Sequence, residues 1–406
     1  MKNYISRNIE NFLPEIVERF PLVFIYGPRK SGKSMLLKKI FKNSFEYFTL
    51  ENPILRESAM SDPNFFLSQI VDKNSIVDEI ILVPELLEHF KEYFLKPGTN
   101  SKRFIFSLSQ QYPLIKEIQN MFPERVAIVE LLPLNYFEKI RYSNGDSPVT
   151  SEDIFEDFAL NGCFPEIVTN KKKNTAPWYS IYLQTVLERD VKLIHNVENL
   201  RSFQTFLKLL ASKCSQQLNL SGLAYEIGIS VNTAKRWISI LESSRIIYLL
   251  KPYPSTNGKR TSKVPKIYFV DVGLACYLIG IKTRKELFQS SSANYLFKNL
   301  CIQETLKYFY HANINPKIYY LRTHNGLEID LIIEDKNEAL HPVEIKFTKT
   351  IKKNMASSIQ KFTKLFLDLN IQKGRMTSLS CEKINLGDGM IHHSLSEYLN
   401  WLNTFN

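Results

Sequence analysis

Apolar positions change period several times along the chain, and each change predicts a different kind of element. Ile5, Ile9, Phe12, Leu13 and Ile16 recur at near-helical spacing, which predicts an amphipathic helix over residues 1–20. Pro21-Leu22-Val23-Phe24-Ile25-Tyr26 is a short apolar run suited to a buried parallel strand, and Met35 to Phe41 reads as a helix. Strands and helices then alternate to about residue 140, the order of an α/β parallel sheet. Asn144-Gly145-Asp146-Ser147-Pro148 is a polar turn cluster and a candidate boundary. Residues 150–215 read almost wholly helical, and 216–270 read as a helix–turn–helix followed by a hairpin. Residues 290–350 predict one helix and then three strands, with a further helical stretch from Ile351 to Leu369. The expected divisions are 1–145, 146–205, 206–275 and 276–406.

Composition narrows this little. A chain of 406 residues with 44% hydrophobic positions can bury several cores, and two to four domains are expected. A net charge of +11 favours an anionic partner such as nucleic acid or nucleotide. The five cysteines are far apart and show neither zinc spacing nor a disulfide framework, which fits a reducing compartment. No apolar run reaches the length of a membrane span and the first residues hold no signal core. A cytoplasmic protein without membrane segments is expected.

The candidate chemistry begins at Gly27-Pro28-Arg29-Lys30-Ser31-Gly32-Lys33-Ser34, which fits G-x-x-x-x-G-K-[ST], a phosphate-binding loop. It lies between the expected strand and helix, where backbone N–H groups and a helix N-terminus can surround a phosphate. Lys33 would reach the β/γ-phosphates, and the Ser34 hydroxyl would ligate Mg²⁺. Ser75-Ile76-Val77-Asp78-Glu79 supplies a second acidic element. Asp78 would hold Mg²⁺ through water and Glu79 would orient or deprotonate the attacking water. The alternative is an acidic helix start before Pro84. Ser107 or Ser109, at the end of the next strand, is placed to sense the γ-phosphate. Arg125 could act as an arginine finger, which in trans would imply a homo-oligomer, or form a structural ion pair.

At these residues the sequence resembles the prokaryotic AAA-type ATPases whose carboxy-terminal half is a domain of unknown function. The resemblance runs through the loop 27–34, Ile76 to Ile80, Val83 to Leu87 and Val129 to Leu134. It continues through Gly162-Cys163-Phe164-Pro165-Glu166, Leu187-Glu188-Arg189-Asp190-Val191 and Gly258-Lys259-Arg260. It implies an ATPase; ATP over GTP comes from the resemblance alone. The chain departs from the family's usual pattern at Ser107-Leu108-Ser109 and at Glu124 before the arginine.

Leu220 to Ile227, the turn Gly228-Ile229, the N-cap Ser230 and a helix from Val231 to about Ser243 predict a winged helix. Val231, Ala234, Trp237, Ile238 and Leu241 should be core, whereas Asn232, Thr233, Lys235, Arg236 and Ser239 face outward as in a DNA recognition helix. Lys251, Lys259, Arg260 and Lys263 would make a basic tip for phosphates. Such modules also serve as protein contacts. The run Lys171-Lys172-Lys173 reads as a solvated loop.

The final constellation lies on strands. Asn325-Gly326 is a hairpin turn, followed by Leu327 to Ile333 and then Pro342 to Phe347. Alternation puts Glu344 and Lys346 on one face, and Asp330 can join them. This is the pattern of a PD-(D/E)XK nuclease core, with Asp330 and Glu344 on Mg²⁺, Lys346 positioning water and Glu304 joining from the preceding helix. Solvated charges or an inherited, inactive site are the alternatives. Glu334-Asp335-Lys336 matches the same string but falls in a turn, and His392-His393 offers no chemistry. The whole reads as an ATP- and Mg²⁺-dependent α/β protein acting on nucleic acid, or else as a nucleotide-driven switch with a scaffold domain.

Overall fold

The fold is that of a computed structural model, which describes residues 4–94, 102–109, 114–143, 150–170, 174–186, 200–254, 261–387 and 389–405. The polar cluster 144–148, Lys171 to Lys173, the Leu187 to Val191 motif and Gly258, Lys259 and Arg260 lie outside these residues. The chain forms two compact units.

The first unit holds the described residues of Met1–Leu134, with Ser243–Arg245 and Tyr310–Ile314. Its sheet is built from β1 (Leu22–Tyr26), β2 (Glu46–Thr49), β3 (Ser75–Asp78), β4 (Phe104–Leu108) and β5 (Val126–Glu130). The spatial order is β2-β3-β4-β1-β5, and every pairing is parallel. β1 is buried along its whole length, which explains its unbroken apolar run. Leu22, Phe24 and Tyr26 enter the core on one face of the sheet; Val23 and Ile25 enter the core on the other. The amphipathic start is split. Pro14 opens the helix Leu13–Arg19, and a separate 3₁₀ turn, Asn8–Asn11, precedes it. Proline suits a first helical turn but not a helix interior.

The second unit holds the described residues of Asn135–Glu242, Ile246–Phe309 and Asn315–Asn406. Short helices cover Tyr136–Tyr142 to Ala176–Val186. The helices Leu200–Ser212, Leu220–Ile227 and Val231–Ser243 follow, and then an antiparallel pair, β6 (Ile247–Leu250) and β7 (Lys266–Phe269). Ala234, Trp237, Ile238 and Leu241 are buried as expected, but Val231 is exposed. It opens the helix, where the first turn projects past the packed face.

The helix Ala293–His311 leads into β8 (Ile318–Arg322), β9 (Glu328–Glu334) and β10 (Leu340–Lys346), an antiparallel meander. Gly326 turns the chain between β8 and β9 with φ of +82°. The helix Ser357–Leu365 then crosses to β11 (Arg375–Ser378), parallel to β10, and β12 (Ile391–Ser394) follows, parallel to β11.

Most of the described residues after 134 fall in this unit, apart from Ser243–Arg245 and Tyr310–Ile314. A buried polar network accounts for this. Asp271 accepts hydrogen bonds from the Cys163 amide at 2.7 Å and the Tyr179 hydroxyl at 2.6 Å. Gln303 accepts from the Val272 amide at 2.7 Å. A Cβ at Gly162, where φ is +67°, would stand 1.9 Å from the Tyr179 hydroxyl, so the Gly162-Cys163 motif is a packing requirement.

Candidate active site

The loop 27–34 joins β1 to the helix Lys33–Ile40. Gly32 takes φ of 101°, and a Cβ at Gly27 would stand 2.0 Å from the Leu131 carbonyl oxygen, so both glycines are required by the backbone. The Lys33 ammonium is held across the loop, donating to the carbonyls of Gly27 at 2.9 Å and Pro28 at 3.1 Å. Arg29 is buried with one guanidinium nitrogen 3.8 Å from Glu51, and Lys30 is exposed with φ of 64°.

Asp78, at the end of β3, is buried beside Ser34, whose hydroxyl donates to it at 2.7 Å. Ser107 and Tyr47 donate to the same carboxylate. Ser107 therefore supports Asp78, and Ser109 is buried close by in sequence. Glu79 adopts φ of 59°, a conformation costly for a residue with a Cβ. Its amide donates to Ser107 at 3.1 Å, and its buried Oε2 has no hydrogen-bond partner. A buried acceptor left open next to a hydroxyl–carboxylate pair fits a site for Mg²⁺ and water. Ser34 and Asp78 are the residues that would hold the ion.

Arg125 is elsewhere. It precedes β5, whose Val126 lies opposite Leu22, whereas the loop leaves from Tyr26 opposite Glu130. That puts it roughly 16 Å from the loop, at the other end of the sheet. It donates to the Phe94 carbonyl at 3.3 Å and lies 4.2 Å from the centroid of the Phe94 ring. Arg125 does not serve the loop of its own chain.

Three residues at this site carry no motif. Tyr47, on the edge strand β2, reaches Asp78; burial and that carboxylate push its phenol pKa up. Arg7 donates to the carbonyls of Ser31 at 2.7 Å and Leu132 at 2.6 Å. Arg245 grips Glu130 through two nitrogens at 2.5 and 2.8 Å, and Tyr26 donates to the same carboxylate. Their partners lie up to 125 positions away.

The carboxylate set on the carboxy-terminal sheet also assembles. Lys346 contacts Glu344 at 2.7 Å, and the Ile345 amide donates to Asp330 at 3.0 Å. The fourth member, however, is a cation. Lys298 of the helix Ala293–His311 is ion-paired with Asp330. Glu304, six residues further along, points elsewhere: it pairs with Lys307 at 2.9 Å and accepts from the Tyr136 amide at 2.7 Å. Six residues on a helix turn through about 600°, so Lys298 and Glu304 cannot share a face. Burial and Asp330 raise the Glu344 carboxyl, whereas Lys298, Lys266 and Lys346 lower that of Asp330. Asp330 is paired with Lys298 and Glu344 contacts Lys346 through one oxygen, while the buried Oε1 of Glu344 has no hydrogen-bond partner. Among the described residues no three His, Cys, Asp or Glu side chains are grouped to hold a metal.

On the helix Val231–Ser243, Asn232, Lys235 and Arg236 are exposed, and Thr233 is tied to the capping hydroxyl of Ser230 at 2.8 Å. Lys251 and Lys263 flank the β6–β7 connection and are exposed; Lys259 and Arg260 lie outside the described residues.

Comparison with known proteins agrees with the first unit. Residues 19–140 match a family model described as an AAA domain. Residues 152–285 and 294–398 match two models described as domains of unknown function (DUF8612 and DUF4143). Uncharacterized proteins of Mycobacterium tuberculosis and Mycobacterium bovis are 26% identical over 351 residues, covering 86% of this chain and 75% of theirs. Among solved structures, a Walker-type ATPase of Pyrococcus abyssi is 15% identical with a TM-score of 0.42, covering 68% of this chain and 96% of that one. DnaA of Aquifex aeolicus bound to AMPPCP is 14% identical with a TM-score of 0.31, covering 59% and 90%. The parallel sheet and phosphate loop thus lie in the segment that matches the AAA domain model, and the mixed sheet lies in the segment that matches DUF4143. No helix among the described residues is long and apolar enough to cross a membrane.

Proposed function

We propose that the chain hydrolyses ATP and couples that cycle to nucleic acid held by a winged helix within residues 206–275. The observation that carries the ATPase reading is the meeting of Ser34 with Asp78 at 2.7 Å beside the open Oε2 of Glu79. In this reading Lys33 releases the loop carbonyls and takes the β/γ-phosphates. Glu79 accepts a proton from the attacking water, and Asp78 is held in place by three hydroxyl donors. Bound Mg²⁺ supplies charge neutralisation on the phosphates. Arg125 is left to a neighbouring copy, as in a homo-oligomer whose sites are completed in trans.

Support for nucleic-acid contact is the three-helix and hairpin order, with Asn232, Lys235 and Arg236 on an exposed face. ATP turnover in Mg²⁺, with and without duplex and single-stranded DNA, tests the coupling, using Glu79→Gln as the inactive control. Stimulation by DNA is expected; indifference would leave a protein-regulated switch. Charge reversal of Lys235 and Arg236 should weaken DNA binding and reduce its salt slope by about 2. An unchanged slope would remove this helix from the interface.

A second reading concerns residues 276–406. The order helix, three-strand meander, helix, parallel strand is that of a PD-(D/E)XK nuclease core, which supports kinship. Lys298 on Asp330 favours a scaffold rather than a Mg²⁺-dependent nuclease. Metal-dependent cleavage lost on Asp330→Ala would reverse that choice.

A further inference from the structure

Tyr47 lies on β2 opposite Ile76, while Asp78 on β3 lies opposite Thr49. The two side chains are diagonal neighbours across the strand pair, within reach for a long residue. The Tyr47 hydroxyl donates to Oδ2 of Asp78. Ser34 donates to that same oxygen at 2.7 Å, whereas Ser107 on β4 donates to Oδ1. An ionised carboxylate offers about four acceptor positions, two on each oxygen. Oδ2, the oxygen that meets Ser34, is therefore full. The vacant position is on Oδ1, the oxygen bound by Ser107. Lys38, from the helix that follows the phosphate loop, stands 4.1 Å from the centre of the Tyr47 ring and steadies it.

We propose that the Tyr47 hydroxyl holds the acceptor position on Asp78 that a water of the Ser34-bound cation must take, so that Tyr47 sets the Mg²⁺ concentration needed for nucleotide binding. Tyr47 is then a positioning residue: it keeps Asp78 satisfied when no cation is present and yields when one enters. The inference rests on the ATPase reading and adds a residue that the phosphate-loop motif does not contain. Its direction is specific, because a tyrosine that helped to order the cation's waters would give the opposite result.

The test is binding of a fluorescent ATP analogue to the full chain, titrated with Mg²⁺, for wild type and Tyr47→Phe. The phenylalanine keeps the ring under Lys38 and removes only the donor. A hydrogen bond to a charged group is worth about one factor of ten or more in affinity. The half-saturating Mg²⁺ concentration should therefore fall about tenfold, with binding in EDTA changed by less than about twofold. Lys38→Met, which frees the ring without touching the hydroxyl, should lower the requirement by a smaller factor and serves if Tyr47→Phe folds poorly. Unfolding midpoints without nucleotide check the fold of each variant. An unchanged or raised Mg²⁺ requirement in Tyr47→Phe overturns the inference and leaves the ATPase reading intact. Wild type without any Mg²⁺-dependent nucleotide binding would overturn the ATPase reading itself.

Discussion

Asp78 and Asp330 are both buried carboxylates on the strands of five-stranded sheets, and their neighbours give them opposite roles. Asp78 is held by the hydroxyls of Ser34, Tyr47 and Ser107. Asp330 is held by the Lys298 ammonium and the Ile345 amide. Hydroxyl donors satisfy a carboxylate and leave its negative charge in place, so a cation is still attracted. An ammonium satisfies it and cancels the charge. On the proposed reading, the same residue type marks an ion site in one unit and an internal ion pair in the other.

The largest expected effects test the first half of that contrast. Lys33→Ala should abolish nucleotide-dependent turnover. Glu79→Gln should reduce turnover by about 10²–10⁴-fold while nucleotide binding persists, since it removes the proton acceptor and not the loop. Single-turnover hydrolysis alongside analogue binding separates the two. If the Lys33 variant turned over normally, the loop would not be the site.

The second half predicts a stability effect. Lys298→Ala leaves Asp330 buried without its cation and should destabilise the second unit by about 3–5 kcal/mol, read by urea unfolding. Added Mn²⁺ should then raise the unfolding midpoint of that variant but not of wild type without nucleotide. A variant as stable as wild type would show that Lys298 is not Asp330's essential partner.

The smallest effect is in pH. Burial and Asp330 push the Glu344 carboxyl from 4.5 up to about 8. The folded chain then keeps a proton that the unfolded chain releases between those values. Stability from this group is full below the unfolded value and is lost as pH rises toward about 8. Measured against Glu344→Gln, which stays neutral throughout, wild type should lose relative stability between about pH 5 and pH 8. A constant difference would mean that Glu344 is ionised throughout.

Much of the first centre was legible because its parts are local. The glycines, Lys33 and Ser34 sit in eight consecutive positions, and Asp78-Glu79 ends an apolar strand. Tyr47 was not legible, because nothing beside it in the sequence distinguishes it from a core tyrosine. Residue type pointed to Glu304; Lys298 lies on the same helix, and only the helix's rotation against β9 decides which one meets Asp330. Arg125 was placed by its neighbourhood in sequence, but parallel strands put the start of β5 far from the loop at the end of β1.

By itself the sequence determined the parallel α/β sheet, the phosphate loop, the helix–turn–helix and the three-strand meander. Each of these is fixed by interactions within a few residues or by the period of apolar positions. Tertiary structure alone decided which charges and hydroxyls surround each carboxylate, and that the segments after residue 134 largely pack as one unit. Those outcomes depend on strand register and helix rotation, which bring together side chains up to hundreds of positions apart.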